Sequence, residues 1–296
     1  MRHSAQTSDE SLSPQPRALG KLELGVPWPD VALAYTDWGE PDAEQVVVCV
    51  HGLTRNARDF DFLAQALAAR GLRAIAVDVA GRGLSSWLAD PQGYAVPTYA
   101  AQMLRFLELM KLGPVDWVGT SMGGLIGMVL AAGEAPPLRR LVLNDVGPFV
   151  PAEALKQIQA YLGIELSFES LEALESHLRA IHASFGPLTD SQWRHLAKHS
   201  ARETAEGWRL SYDPAIRVPF EAAAAEDIDL WPLWDAIQVP TLVLWGEEST
   251  LLTRATAEEM GNRGPKAEVT GFARVGHAPA LMSQDQIATV VDWLRR

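Results

Sequence analysis

The sequence predicts an α/β protein: a mostly parallel sheet with helices on both faces. Three observations carry this expectation. Apolar runs of strand length alternate with segments of helical period along most of the chain. Several of those runs, such as Val46–Val50, are continuous, as strands buried on both faces are. The alternation is broken once, between residues 150 and 229, where only helical stripes are legible.

Val31–Trp38 alternates like a strand, and Val46–Val50 reads as a central one. Phe60, Leu63 and Leu67 share a helix face, and Ala74–Val77 is the next strand. Met103, Phe106, Leu107 and Met110 give a second helix, Val115–Val118 a strand, and Leu125, Met128, Val129 and Ala132 a third helix face. Leu141–Leu143 is a strand. Leu155, Ile158 and Leu162, then Leu171, Leu174, Leu178 and Ile181, mark helices of an all-helical insertion. The pattern resumes with a strand over Pro240–Trp245, a helix from Thr253 to Gly261, a short strand over Ala267–Gly271, and a last helix carrying Ile287, Val290, Val291 and Leu294. Residues 1–20 read as a disordered tail, 21–149 and 230–296 as the core, and 150–229 as the inserted helical unit.

Composition excludes some classes of function. The net charge is −12 and no Lys/Arg block stands out, which argues against nucleic acid or an anionic membrane as partner. A lone cysteine, Cys49, lies in an apolar run; it fits a packed strand residue and a reducing, cytoplasmic setting. The first residues lack the apolar stretch of a secretory signal, and no run reaches the length of a membrane span.

Chemistry concentrates where strands end. Gly119-Thr120-Ser121-Met122-Gly123 is a G-x-S-x-G pentapeptide between a strand and a helix, the setting in which a serine is forced onto a strained corner with its hydroxyl exposed. Such a serine needs a base. Among seven histidines, His277 in Val275-Gly276-His277-Ala278-Pro279 follows the last short strand, late in the chain. The rival, His51, reads better as a packing residue of its turn. His195 and His199 are four residues apart, but the segment lacks the glutamate of H-E-x-x-H and reads as a solvated face. For a tetrahedral oxyanion, the backbone N–H groups of Met122 and Leu53 are the candidate donors. No metal or cofactor is called for.

The motifs HGLTRN (51–56), DVAGRGLS (78–85), GTSMGG (119–124), NDVGP (144–148), WPLWDAI (231–237), LVLWG (242–246) and GHAP (276–279) resemble, in content and order, the alpha/beta-hydrolase superfamily. The resemblance implies an eight-stranded sheet, a lid inserted after the sixth strand, Ser121 as nucleophile and His277 as base. One departure stands out. Where such relatives often read G-x-x-S-D-x-L, this chain reads Gly246-Glu247-Glu248-Ser249-Thr250-Leu251-Leu252, so a threonine holds the usual position of the acid. A threonine cannot stabilise an imidazolium. Asp145, directly after the Leu141–Leu143 strand, is the candidate replacement; its competing role is a turn cap before Gly147-Pro148.

These features point to a serine hydrolase acting through an acyl-enzyme on a carboxylic ester or related bond of a small, largely apolar substrate. Hydrolysis of a C–C bond beside a carbonyl, or of a lactone, stays open as an alternative within the fold, as does a small-molecule receptor whose catalysis is weakened at Thr250. Candidate substrate contacts are Arg55, whose competing role is an ion pair with Asp59, and Trp208, Trp231 and Trp245.

Overall fold

The computed structural model describes residues 14–223 and 226–296. Most of the tail expected over 1–20 therefore lies outside the described residues, but its end does not. The chain enters strand β1 at Ala18 (Ala18–Gly25), which pairs antiparallel with β2 (Trp28–Trp38). There follow β3 (Val46–Val50), α1 (Asp61–Ala68), β4 (Arg73–Val77), α2 (Val96–Leu109), β5 (Val115–Thr120), α3 (Met122–Ala131) and β6 (Leu138–Asn144).

The segment between the sixth and the next long strand holds β7 (Phe149–Val150), α4 (Ala152–Gln159), α5 (Leu171–Ile181), α6 (Asp190–Ser200), β8 (Ala201–Thr204), β9 (Gly207–Leu210), α7 (Arg217–Ala223) and β10 (Ile228–Asp229). It is therefore not all helix, as the sequence suggested. β8 and β9 form a hairpin, and β7 pairs with β10 where the insertion leaves and rejoins the core. The chain ends with α8 (Trp231–Asp235), β11 (Thr241–Gly246), α9 (Arg254–Asn262), β12 (Glu268–Phe272) and α10 (Gln284–Leu294).

The main sheet has eight strands in the order β1-β2-β4-β3-β5-β6-β11-β12. From β4 to β12 all neighbours are parallel, and only β2 runs the other way, pairing antiparallel with both β1 and β4. Parallel strands covered on both sides bury both faces, which is why Val47, Val48, Cys49 and Val50 are all fully buried. One face packs against α2 and α3 through Val48, Val50, Phe106, Trp117 and Ile126. The other packs against α1 and α10 through Val47, Cys49, Leu63, Leu67, Val290 and Leu294. The insertion has a small core of its own, built on Leu174, Leu178, Trp193 and Leu196. Among the described residues, no helix is long and apolar enough to cross a membrane.

In an open parallel sheet, loops at the carboxyl ends of the strands share one edge. Here the ends of β3, β5, β6, β11 and β12 bring His51-Gly52, Ser121, Asp145, Gly246 and His277 to that edge. β6 lies between β5 and β11, so Asp145 emerges between Ser121 and Gly246.

Candidate active site

Ser121 sits on the corner between β5 and α3 with φ 52° and ψ −116°, a conformation that costs an L-residue energy and is held only by its surroundings. Its N–H bonds the Asn144 carbonyl, and its own carbonyl accepts from Gly124 and Leu125. The glycines follow from close approach. A Cβ on Gly123 would stand 2.0 Å from the Val50 carbonyl oxygen, and one on Gly119 2.3 Å from the Gly123 oxygen. Trp117, buried below, bonds the Gly123 carbonyl through its indole N–H at 2.9 Å.

The corner aims Ser121 Oγ at His277, whose Nε2 is 3.0 Å away. On the other side of the ring, Nδ1 is 2.7 Å from Asp145 Oδ2. Asp145 is fully buried, with φ 56°, and its carboxylate is saturated by donors. Oδ1 accepts from the Gly246 N–H at 2.8 Å, and Oδ2 accepts from Ser249 Oγ at 2.6 Å. Ser249, the residue before the anomalous threonine, thus braces the carboxylate that contacts the histidine. Thr250 itself is exposed; its hydroxyl lies 3.5 Å from Gln157 Oε1 on the insertion. The loop carrying His277 is tied down from both units. Ser184 Oγ donates to the His277 carbonyl, the Gly276 N–H bonds the Ser184 carbonyl, and Asn144 Nδ2 bonds the Pro279 carbonyl.

The N–H groups of Leu53 and Met122 have no backbone acceptor among the described residues, and both residues line a cavity with Ser121. A buried arginine overlooked in the sequence braces both segments. Arg82 donates to the Leu53 carbonyl at 2.8 Å and approaches Met122 Sδ at 3.6 Å, while bonding Ala80 and the Tyr99 hydroxyl. Its place in DVAGRGLS, a lone arginine between glycines after a strand, was the available signal. His51 is pinned: Nε2 accepts from the Val79 N–H at 3.0 Å, and Nδ1 faces the Gly52 carbonyl. It does not reach toward Ser121 as a base would.

Two cavities meet at Ser121. One, about 310 Å³, is apolar and lined by Met122, Leu125, Val146, Leu155 and Phe220 among others. The second, about 100 Å³, is lined by His277, Arg55, Tyr161 and His182, and continues into a further space of about 120 Å³ that shares Arg55, Tyr161 and His182. Arg55 is thus in the cleft and also paired with Asp59, Nε and Nη2 each bonding a carboxylate oxygen.

The tryptophans are elsewhere. Trp245 is buried with its indole N–H on the Leu252 carbonyl, Trp231 lies under the Arg263 guanidinium, and Trp208 belongs to β9, packed in the insertion core. None lines a cavity that opens on Ser121, because each ring is spent on internal packing.

His195 and His199 are not on a solvated face. His195 is buried, with Nε2 3.1 Å from the Arg58 carbonyl and 3.3 Å from Asp61 Oδ2. His199 Nδ1 is 3.2 Å from Arg58 Nη1. Ligand-type atoms of Asp61, His195 and His199 lie within 4.8 Å of one another, but the Arg58 guanidinium, 2.6 Å from Asp61 Oδ2, already supplies the positive charge there. The cluster joins the insertion to α1.

Buried histidines make stability depend on pH. Burial lowers His51 to about 3, and burial with the Arg58 charge lowers His199 to about 3, against 6.5 when exposed. Between those values the unfolded chain binds more protons than the native one, so stability rises with pH across the window. Asp78, pushed up to about 6 by burial, acts in the opposite sense between 3.8 and 6. His182, buried and also held well below the usual histidine value, acts with these two, so three histidines outweigh one carboxyl. The unfolding free energy from urea titrations followed by tryptophan fluorescence is expected to climb between pH 4 and 6.5, on the order of 1 kcal/mol per pH unit, with the midpoint rising alongside, and to flatten above. A midpoint that falls across that range contradicts this.

The eight-stranded order, the strained serine corner and the serine–histidine–carboxylate chain define a hydrolase of the α/β type. The sequence model of the alpha/beta hydrolase family matches residues 47–292, and the chain belongs to that family. It is 45% identical over 265 residues to a 3-hydroxybutyrate-oligomer hydrolase from Cupriavidus necator, a match covering 86% of this chain and 90% of that one. A 2-(acetamidomethylene)succinate hydrolase from Mesorhizobium japonicum is 26% identical, covering 80% and 83%. An alpha/beta hydrolase of known structure from Novosphingobium aromaticivorans superimposes with a TM-score of 0.81 at 35% identity, covering 90% of this chain and 94% of that one.

Proposed function

We propose that this hydrolase is a serine esterase that works through an acyl-enzyme, with Ser121 as nucleophile, His277 as base and Asp145 as the orienting acid. The observation that carries the reading is the relay Ser121–His277–Asp145 at 3.0 and 2.7 Å. Ser121 Oγ attacks the ester carbonyl carbon as its proton passes to His277 Nε2. The oxyanion takes the N–H groups of Leu53 and Met122. The C–O bond breaks, His277 gives its proton to the departing alcohol, and water repeats the sequence to free the acid. The 310 Å³ apolar cavity receives the acyl half.

The relative from Cupriavidus necator, named for 3-hydroxybutyrate oligomers, supports short oligoesters of hydroxy acids as the substrate class. Covalent labelling by a fluorophosphonate tests the serine mechanism. Wild type is expected to label stoichiometrically and Ser121→Ala not at all; equal labelling of the two overturns the assignment.

A further inference from the structure

The two cavities that meet at Ser121 are not equivalent, and the proton inventory of ester cleavage assigns each of them, given the serine-esterase reading above. His277 must hand its proton to the leaving oxygen, so the alcohol half of the ester has to run on the side that His277 lines. That side is the second cavity. The acyl half is left the apolar one, which His277 does not line.

The alcohol side contains polarity that hydrolysis itself does not use. A Cβ placed on Gly52 would stand 3.6 Å from Ser121 Cβ and 3.9 Å from Arg55 Cγ, so both side chains border Gly52, and both line this cavity. Asp59 holds Nε and Nη2 and thereby fixes the guanidinium, while Nη1 makes no hydrogen bond among the described residues. Next to it is His182, from the end of α5, which lines both parts of this cavity. Its ring stacks on Phe185, with centroids 4.4 Å apart and planes at 20°, and its nitrogens make no hydrogen bond among the described residues. Burial and the Arg55 charge lower its pKa well below the usual histidine value, so it is neutral and offers a single N–H. The guanidinium, which is charged, and the imidazole line a space whose other walls include Tyr161, His177, Leu178, Ile181 and Tyr212. Donors that border a cavity and have no protein partner can take an acceptor from the ligand, and a guanidinium edge beside an N–H matches a carboxylate.

We infer that Arg55 and His182 form a subsite for the free carboxylate of the leaving group, so that the enzyme cuts the ester next to the carboxylate end of its substrate and releases a hydroxycarboxylate. An uncharged alkanol would leave both donors unpaired and be turned over less well. Asp59 sets the limit on charge: the Arg55–Asp59 pair is neutral overall, so recognition rests on directed hydrogen bonds more than on net attraction.

The test compares kcat/KM of the wild-type enzyme for the linear dimer of 3-hydroxybutyrate, for its methyl ester and for p-nitrophenyl butyrate. The free acid is expected to exceed the methyl ester by about 10-fold or more. In His182→Phe, which keeps the stacking, and in Arg55→Met, that ratio is expected to fall by about 10-fold, with KM carrying most of the change. A wild-type ratio near one, or variants that slow acid and methyl ester alike, overturns the subsite while hydrolysis of p-nitrophenyl butyrate keeps the esterase reading. An enzyme that turns over none of the three overturns both.

Discussion

Replacing Ser121 by alanine is expected to lower kcat by about 10⁶ while leaving the fold intact. The size of the effect follows from how the residue is held. In the proposed mechanism the corner at φ 52° presents one oxygen, and that oxygen is 3.0 Å from Nε2 of His277, its proposed base. The adjacent hydroxyl, Thr120 Oγ1, is engaged elsewhere and accepts from Asn144 Nδ2. Stability should hardly move, because among the described residues the serine side chain bonds only His277, while the backbone bonds of the corner and the close contacts of Gly119 and Gly123 are independent of Oγ. Steady-state hydrolysis of a p-nitrophenyl ester and a thermal melt measure the two halves of this expectation. More than a tenth of wild-type activity in the variant would mean another nucleophile.

What could be read from the sequence here was whatever is local. The switch from a continuous apolar run to helical period around Gly119–Gly123 places a serine corner without knowledge of the rest of the chain. Strand β1 escaped because it is an antiparallel edge, and Ala18–Gly25 mixes Gly20, Lys21 and Glu23 with leucines in a half-exposed pattern. The β8–β9 hairpin escaped for a similar reason: none of its residues is fully buried, and its strands read as polar chain around a turn that ends at Gly207, φ 111°. His195 was misread because its environment is tertiary; nothing in the local sequence says that α6 packs on Asp61 of α1. The tryptophans were overvalued by size alone. An indole N–H inside a protein needs an acceptor, and Trp245 finds one at Leu252 in its own loop. His182 lies one residue beyond a helix stripe, and its placement beside Arg55 depends on how the insertion folds back over the sheet edge.

Asp145 and Thr250 give the sharpest test of the catalytic assignment, because sequence pattern and geometry favour different positions for the acid. Strand order decides the geometry. With β6 between β5 and β11, a residue just past the end of β6 stands beside the serine corner, and Asp145 there is 2.7 Å from His277 Nδ1. Asp145→Asn is expected to lower kcat by about 10⁴. An aspartate accepts from three donors here, namely Gly246 N–H, Ser249 Oγ and His277 Nδ1. An asparagine has one acceptor oxygen and one amide, so in either flip its NH₂ faces a donor. With the amide toward His277, the imidazole must turn or change tautomer, and the nitrogen facing Ser121 then carries a proton and cannot accept one. Thr250→Asp, by contrast, adds a carboxylate at an exposed site whose present contact is Gln157, and its effect on kcat is expected to stay within about threefold, as for exposed charges generally. The double variant Asp145→Asn/Thr250→Asp should be as slow as Asp145→Asn alone, since Ser249 and Gly246 keep their donors turned toward position 145. Recovery of activity in the double variant, with a near-silent Asp145→Asn, would instead place the working acid at position 250 and reduce Asp145 to a cap on the turn.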